Sequence, residues 1–427
     1  MGLPYRALIL LLTEGALIVL LVYGFLKLGA GTPDDETLLF RPAPDTAEQA
    51  YVSRAFAFGQ NPLLPIVNEL HPSRFSPVHP FLASLWIRLN AGNPDSIFQW
   101  SLVSILSGML LFYILLIQSG APGAVRILFV YLILYTPLLL SLSGKFLQEP
   151  TMFLLFAGAC AAWHKGMILS QTLRENAETK VPGRNIGSSV FFLFSGILCG
   201  ALICIRITLF PLTIFLVLFA IREFPVKKAW KPCLAFILGH LFIIILVMIY
   251  MMRLADIFFI QGYFHWMPDY RPFAWGNAFK PPINRSDGIP HYLLIVRELL
   301  GIQKTVVVWG WLSMTFLIFF GILGFLIPRS PESQDRKTPN KYKLFRSLLF
   351  FLFLFGLSQI LFHLFYFFHD LRFFILAYPI IILCGLTGWW EIFRFLQHTT
   401  KMKKILIAIT AILTGIVLAG GYNAIQG

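Results

Sequence analysis

Residues 45–80 gather side chains that can exchange protons and grip anions. Asp45 and Glu48 are carboxylates, Tyr51 a phenol and Arg54 a guanidinium, and His71 and His79 each precede a proline. A placed carboxylate can take the proton of an attacking hydroxyl, a step worth on the order of 10²–10⁴ in rate. Farther along, Glu149 opens an apolar run, and Arg206 and Arg372 stand at the ends of others. Arginine suits bidentate contact with phosphate, and Lys145 and Arg271 are secondary cations for the same task. Nothing about anchoring a chain in a membrane requires this set.

Each residue also has a structural reading. Asp45, with Glu48 three residues on, fits a helix N-cap. Glu149 at a helix start is favoured by the helix dipole whatever else it does. Arg206 and Arg372 could snorkel to the lipid headgroups. His71 and His79 lie in a turn-rich loop where no third ligand has metal-site spacing, so a structural or substrate-contact role fits better than metal binding. His265, Asp269, Tyr270 and Arg271 either contact a substrate or fold their own loop. Glu14, within the first apolar run, is costly in lipid and should face protein through a hydrogen bond.

The elements that hold these residues are membrane spans. Of the 427 residues 57% are hydrophobic and only 13% charged, where soluble domains average about 45–50% and about 25%. Runs of about 20 apolar residues, enough to cross the hydrocarbon core as helices, recur near 5–28, 96–118, 123–143, 147–164, 188–205, 207–222, 232–252, 304–328, 346–367, 371–391 and 404–422. The fold class is therefore an all-α polytopic membrane protein of about eleven spans. It reads as one transmembrane domain over 1–427, with the first span kept as a signal anchor and no separate soluble domain at the C-terminus.

Orientation follows from the excess of Lys and Arg on the cytoplasmic side. With the N-terminus inside, most of the 34 basic residues fall in inside segments and most of the 20 acidic ones outside. The net charge of +14 is then accounted for by basic loops facing anionic lipid rather than by nucleic acid. The five cysteines fall inside spans and show no disulfide or zinc spacing.

Two long outside loops remain, 29–95 and 253–303. Both are rich in aromatics, unlike disordered segments, and should fold onto the membrane face. In the first, Thr46 to Phe58 predicts a surface helix that places Tyr51, Arg54, Ala55 and Phe58 on one side, and Gly59 ends it. Pro80 to Leu89 predicts a second interfacial helix, with Trp86 in the headgroup zone. The inside loops 165–187 and 329–345 read as connectors.

This pattern resembles the first outside loop of the C-type integral-membrane glycosyltransferases, the group of the protein O-mannosyltransferases and the lipid A aminoarabinose transferases. Asp45 precedes Gly59 by the family's interval, with Arg54 between them, and Thr46 stands where the family usually keeps a Glu. Ser143-Gly-Lys145 to Glu149-Pro150 is similar to the second outside loop. Gly196 to Arg206 and Thr208 resembles its glycine-rich span, and His369-Asp370-Leu-Arg372-Phe373 to Pro379 its Arg-Tyr segment.

The resemblance implies transfer of a hexose or pentose, with inversion, from a polyprenyl-phosphate donor to a lipid, glycan or protein acceptor on the periplasmic or lumenal side. In that picture Asp45 is the base, Glu48 or Glu149 serves the acceptor side, and Arg206, Arg372, Lys145 and Arg271 meet the donor phosphate. Tyr51, Arg54, His71, His79, His265 and Asp269 would line the substrate loops. A divalent metal is allowed but not required. The expected setting is a bacterial inner membrane, or the endoplasmic reticulum membrane in a eukaryote, with the site and the C-terminus outside. A transporter or flippase of lipid-linked sugars, or a non-catalytic glycolipid-binding relative, is the competing reading.

Overall fold

The computed structural model describes residues 3–27, 44–66, 69–73, 75–175, 185–224, 226–257, 260, 307–326, 340–364 and 375–397. Helix α1 (Leu3–Lys27) leads to two surface helices, α2 (Pro44–Phe58) and α3 (Val78–Leu89), with strands β1 (Leu64–Ile66) and β2 (Glu69–His71) between them. After a 3-10 turn at Pro94–Phe98 come α4 (Gln99–Ser119), α5 (Gly123–Leu134), α6 (Pro137–Ser143), α7 (Gln148–Glu175) and α8 (Asn185–Ile205). A second 3-10 turn, Ile207–Leu209, leads to α9 (Phe210–Glu223) and α10 (Val226–Ala255), followed by α11 (Val307–Leu326), α12 (Asn340–Leu364) and α13 (Ala377–Gln397).

The helical polytopic architecture is as expected from the sequence. Five helices among the described residues are long and apolar enough to cross a membrane: Pro94–Ser119, Gln148–Gln171, Gly187–Ile205, Ala229–Ala255 and Lys341–Leu361. The protein is thus a multi-pass membrane protein. The expected span at 404–422 lies outside the described residues.

Three local expectations need correction. The run 123–143 is not one span: Pro137 supplies no N–H, and the chain turns extended at Thr136 (φ −68°, ψ 123°) between α5 and α6. The loop 165–187 is not wholly a connector, because α7 continues to Glu175. The first outside loop also holds the small antiparallel hairpin, in which Leu64 pairs with His71 and Ile66 with Glu69. Strands of three residues, one containing Pro65, carry no readable alternation.

Helices α8 and α10 approach so closely that a Cβ on Gly196 would collide with the Phe236 carbonyl, and one on Gly239 with the Leu193 carbonyl. In lipid, where apolar surface gives no drive for helix association, such small-residue contacts let backbones pack. Gly196, part of the glycine-rich span in the resemblance, thus has a packing reason of its own. The main core runs through the bundle, and a second apolar cluster of Ala50, Ala83, Ile87, Ile97, Trp100 and Phe146 fastens the surface helices to α4 and the turn before α7.

Glu14 has the buried partner expected of it. Arg126 Nε and Nη2 donate to its two oxygens at 2.6 and 2.5 Å, and the Tyr113 hydroxyl donates to Oε1 at 2.8 Å. This cluster ties α1 to α4 and α5.

Candidate functional site

The surface helix α2 ends as the sequence predicts. Gly59 adopts φ +70° and Gln60 N donates to the Ala55 carbonyl at 2.8 Å, a left-handed helix terminus. Its start differs. Pro44 is the first helical residue, so Asp45 stands within the first turn rather than preceding it as an N-cap; proline is preorganised for that first position.

Arg88 of α3 holds the other end of α2, donating Nη2 to the Phe56 carbonyl (2.6 Å) and Nε to that of Ala57 (3.1 Å). The expected polar and aromatic face of α2 is outward: Tyr51 and Phe58 are exposed, and Arg54 pairs with exposed Asp95 at 3.4 Å. Ala55 departs from that face and is buried.

Glu48 is turned inward, where it accepts the Ser73 hydroxyl at 2.8 Å. It braces the segment after β2 against α2, a structural task for the carboxylate nearest Asp45. Among the described residues no group of three or more His, Cys, Asp or Glu side chains is arranged to hold a metal ion.

His79 of α3 is buried, and its Nδ1 shares a 2.8 Å hydrogen bond with Thr151 Oγ1, which also accepts the Trp100 indole N–H at 2.8 Å. The ring lies 4.8 Å from that of Phe146. Burial pushes the imidazole down to about 3, so it is a neutral strut between α3, α4 and α7. His71 ends β2.

The turn before α7 carries Lys145, whose carbonyl accepts the Ser101 hydroxyl at 2.6 Å. Glu149 follows in the first turn of α7, where it is buried. Arg206, extended at φ −147° and ψ 107° in the break between α8 and α9, donates Nη2 to Glu149 Oε1 at 3.2 Å. Two separate candidates from the sequence, one acidic and one basic, therefore meet as an ion pair. Just beyond Arg206, the Thr208 carbonyl accepts Gln359 Nε2 of α12 at 2.9 Å.

These contacts lie at the starts of α4, α7 and α9 and the ends of α8 and α10, where Phe56 of α2 also touches Tyr250 with ring centroids 5.8 Å apart. The surface helices and the Glu149–Arg206 pair thus share one end of the bundle. His265, Asp269, Arg271 and Arg372 lie outside the described residues. Sequence reasoning missed Trp100, Thr151 and Gln359; the signal for Gln359 was a carboxamide inside the greasy run of α12.

No protein-family model matches the sequence, and no curated protein matches it. Among solved structures, the fold is similar over 96% of the chain to ArnT from Cupriavidus metallidurans bound to undecaprenyl phosphate, with a TM-score of 0.56 and 13% identity. It is similar over 97% of the chain to the apo Archaeoglobus fulgidus oligosaccharyltransferase, with a TM-score of 0.57 and 11% identity. The chain spans 75% of the first protein's length and 55% of the second's. The chain thus shares its fold with these two proteins.

Proposed function

We propose that this protein is a membrane glycosyltransferase that moves a sugar from a polyprenyl-phosphate donor to an acceptor on the outer side of the membrane. The observation that carries this reading is the Arg206–Glu149 pair, set at a helix break on the end of the bundle that the surface helices share. The likeness in fold to a protein solved with undecaprenyl phosphate supports the donor class.

The chemistry is an inverting displacement. Asp45 takes the acceptor's hydroxyl proton while the oxygen attacks the anomeric carbon. The bond to the phosphate oxygen breaks on the opposite face, and the lipid phosphate leaves with the electron pair. Its developing charge needs preorganised cations rather than a proton donor. Arg206 carries a planar fork of N–H donors suited to phosphate oxygens, and Glu149 helps to hold that fork in place. Arg372, Lys145 and Arg271 are further cations for the leaving phosphate. The surface helices, with Tyr51, Arg54, His71, His265 and Asp269 near or on the outer loops, shape acceptor access.

The decisive experiment is mass spectrometry of lipid-linked sugars and envelope glycans from cells with and without the protein. Its loss is expected to raise one polyprenyl-phosphate sugar and remove one glycan substituent. Unchanged profiles of both would refute the assignment.

A further inference from the structure

Gln359 is buried, with 2% of its surface exposed, in an apolar stretch of α12. Burying a carboxamide is costly unless its groups are bonded. Half of it is satisfied: Nε2 donates to the Thr208 carbonyl at 2.9 Å, an acceptor to which Pro211, three residues on, has no N–H to return. That bond to a carbonyl fixes which end of the amide is nitrogen. The oxygen Oε1 is buried with no hydrogen-bond partner among the described residues, and the same holds for the Thr208 hydroxyl.

One orphaned polar atom, the Thr208 hydroxyl, thus sits on the turn that begins with Arg206, and the other, Gln359 Oε1, belongs to the α12 side chain bonded to that turn. A carboxamide oxygen only accepts, so it repels a phosphate oxygen and suits an O–H; a threonine hydroxyl both donates and accepts. The covalent neighbour of a donor's phosphate is its sugar, which is dense in hydroxyls.

Resting on the function proposed above, we propose that Gln359 and Thr208 form the subsite that reads a hydroxyl of the donor's sugar, two residues along the chain from the arginine that meets its phosphate. A site built to bond a hydroxyl discriminates strongly against ligands that lack it, because its own polar atoms are then left unpaired. Gln359 would make the enzyme selective for a sugar-bearing lipid over the spent carrier.

The test uses purified full-length protein in nanodiscs and three probes: undecaprenyl phosphate, and the same lipid bearing a hexose or a pentose. Wild-type protein is expected to bind one sugar-bearing lipid about tenfold more tightly than undecaprenyl phosphate, the scale of one buried hydrogen bond. Thr208→Val, which keeps the backbone carbonyl, and Gln359→Met should bring that ratio near one, with undecaprenyl phosphate bound within about twofold of wild type. Should Gln359→Met fail to fold, Thr208→Val carries the test. A wild-type ratio near one, or a wild-type ratio that survives in the folded variants, overturns the inference. Arg206→Leu separates the two readings: if it binds all three lipids like wild type, the phosphate assignment fails while the sugar ratio still reports on Gln359.

Discussion

Arg206 reaches from the break between α8 and α9 to Glu149 in the first turn of α7, Nη2 to Oε1 at 3.2 Å, with the carboxylate side chain 1% exposed and the guanidinium 12%. A buried pair of this kind is a poor source of net stability, but breaking it leaves a charge stranded in an apolar setting. Glu149→Gln should therefore lower the unfolding temperature in detergent and cost about 3–5 kcal/mol, more than the double change Glu149→Gln with Arg206→Met. A double-mutant cycle on thermal unfolding measures this. Coupling near zero would mean that the pair does not hold the site.

His79 predicts a pH dependence of stability rather than of activity. Its folded value, about 3, lies below the ordinary histidine value of about 6.5. The unfolded chain therefore binds more protons between these limits, and the His79 contribution is full above about pH 6.5 and is lost as pH falls toward 3. Chemical denaturation between pH 4 and 8 should show a steeper loss for wild type than for His79→Phe. The activity profile over pH 5–8 should carry no inflection from this residue.

The Glu14–Arg126–Tyr113 cluster should matter for assembly and not for chemistry. Glu14→Leu would strand Arg126 and lower the melting temperature, and Glu14→Leu with Arg126→Leu should recover most of the loss, since a hydrophobic pair of similar volume can replace a buried ion pair. Donor affinity of the folded variants should stay within about twofold of wild type because the cluster makes no contact with the proposed site. Fluorescence-detected size-exclusion chromatography and lipid binding together check both halves.

Gly239→Leu should separate α8 from α10. Its side chain would run into the Leu193 carbonyl across the closest approach of those helices, and backbone cannot yield as a flexible side chain can. We expect poor extraction and loss of the folded peak, whereas Gly15→Ala, where an added Cβ meets nothing within 4 Å, should behave as wild type.

Much of the frame was legible in the chain because lipid imposes length and hydropathy on every span. Gly59 marked the end of α2 for a purely local reason, a left-handed residue after good helix formers, and Glu14 announced a partner because an acid in lipid needs one. The Arg206–Glu149 pair was not legible as a pair. Each residue stands out separately, but the two are 57 positions apart and only tertiary packing brings them together. Glu48 is ambiguous for a related reason, since an acceptor-side role and a brace for Ser73 look alike in sequence. The break at Thr136-Pro137 was hidden by unbroken hydrophobicity on both sides, although the proline was in view.

Asp45 as the base of the transfer is checked by Asp45→Asn in purified protein. Transfer of sugar from the polyprenyl-phosphate donor is expected to fall by at least about 10²-fold, the contribution of a general base, while donor binding stays within about twofold of wild type. Transfer at the wild-type rate in a folded Asp45→Asn protein would contradict it.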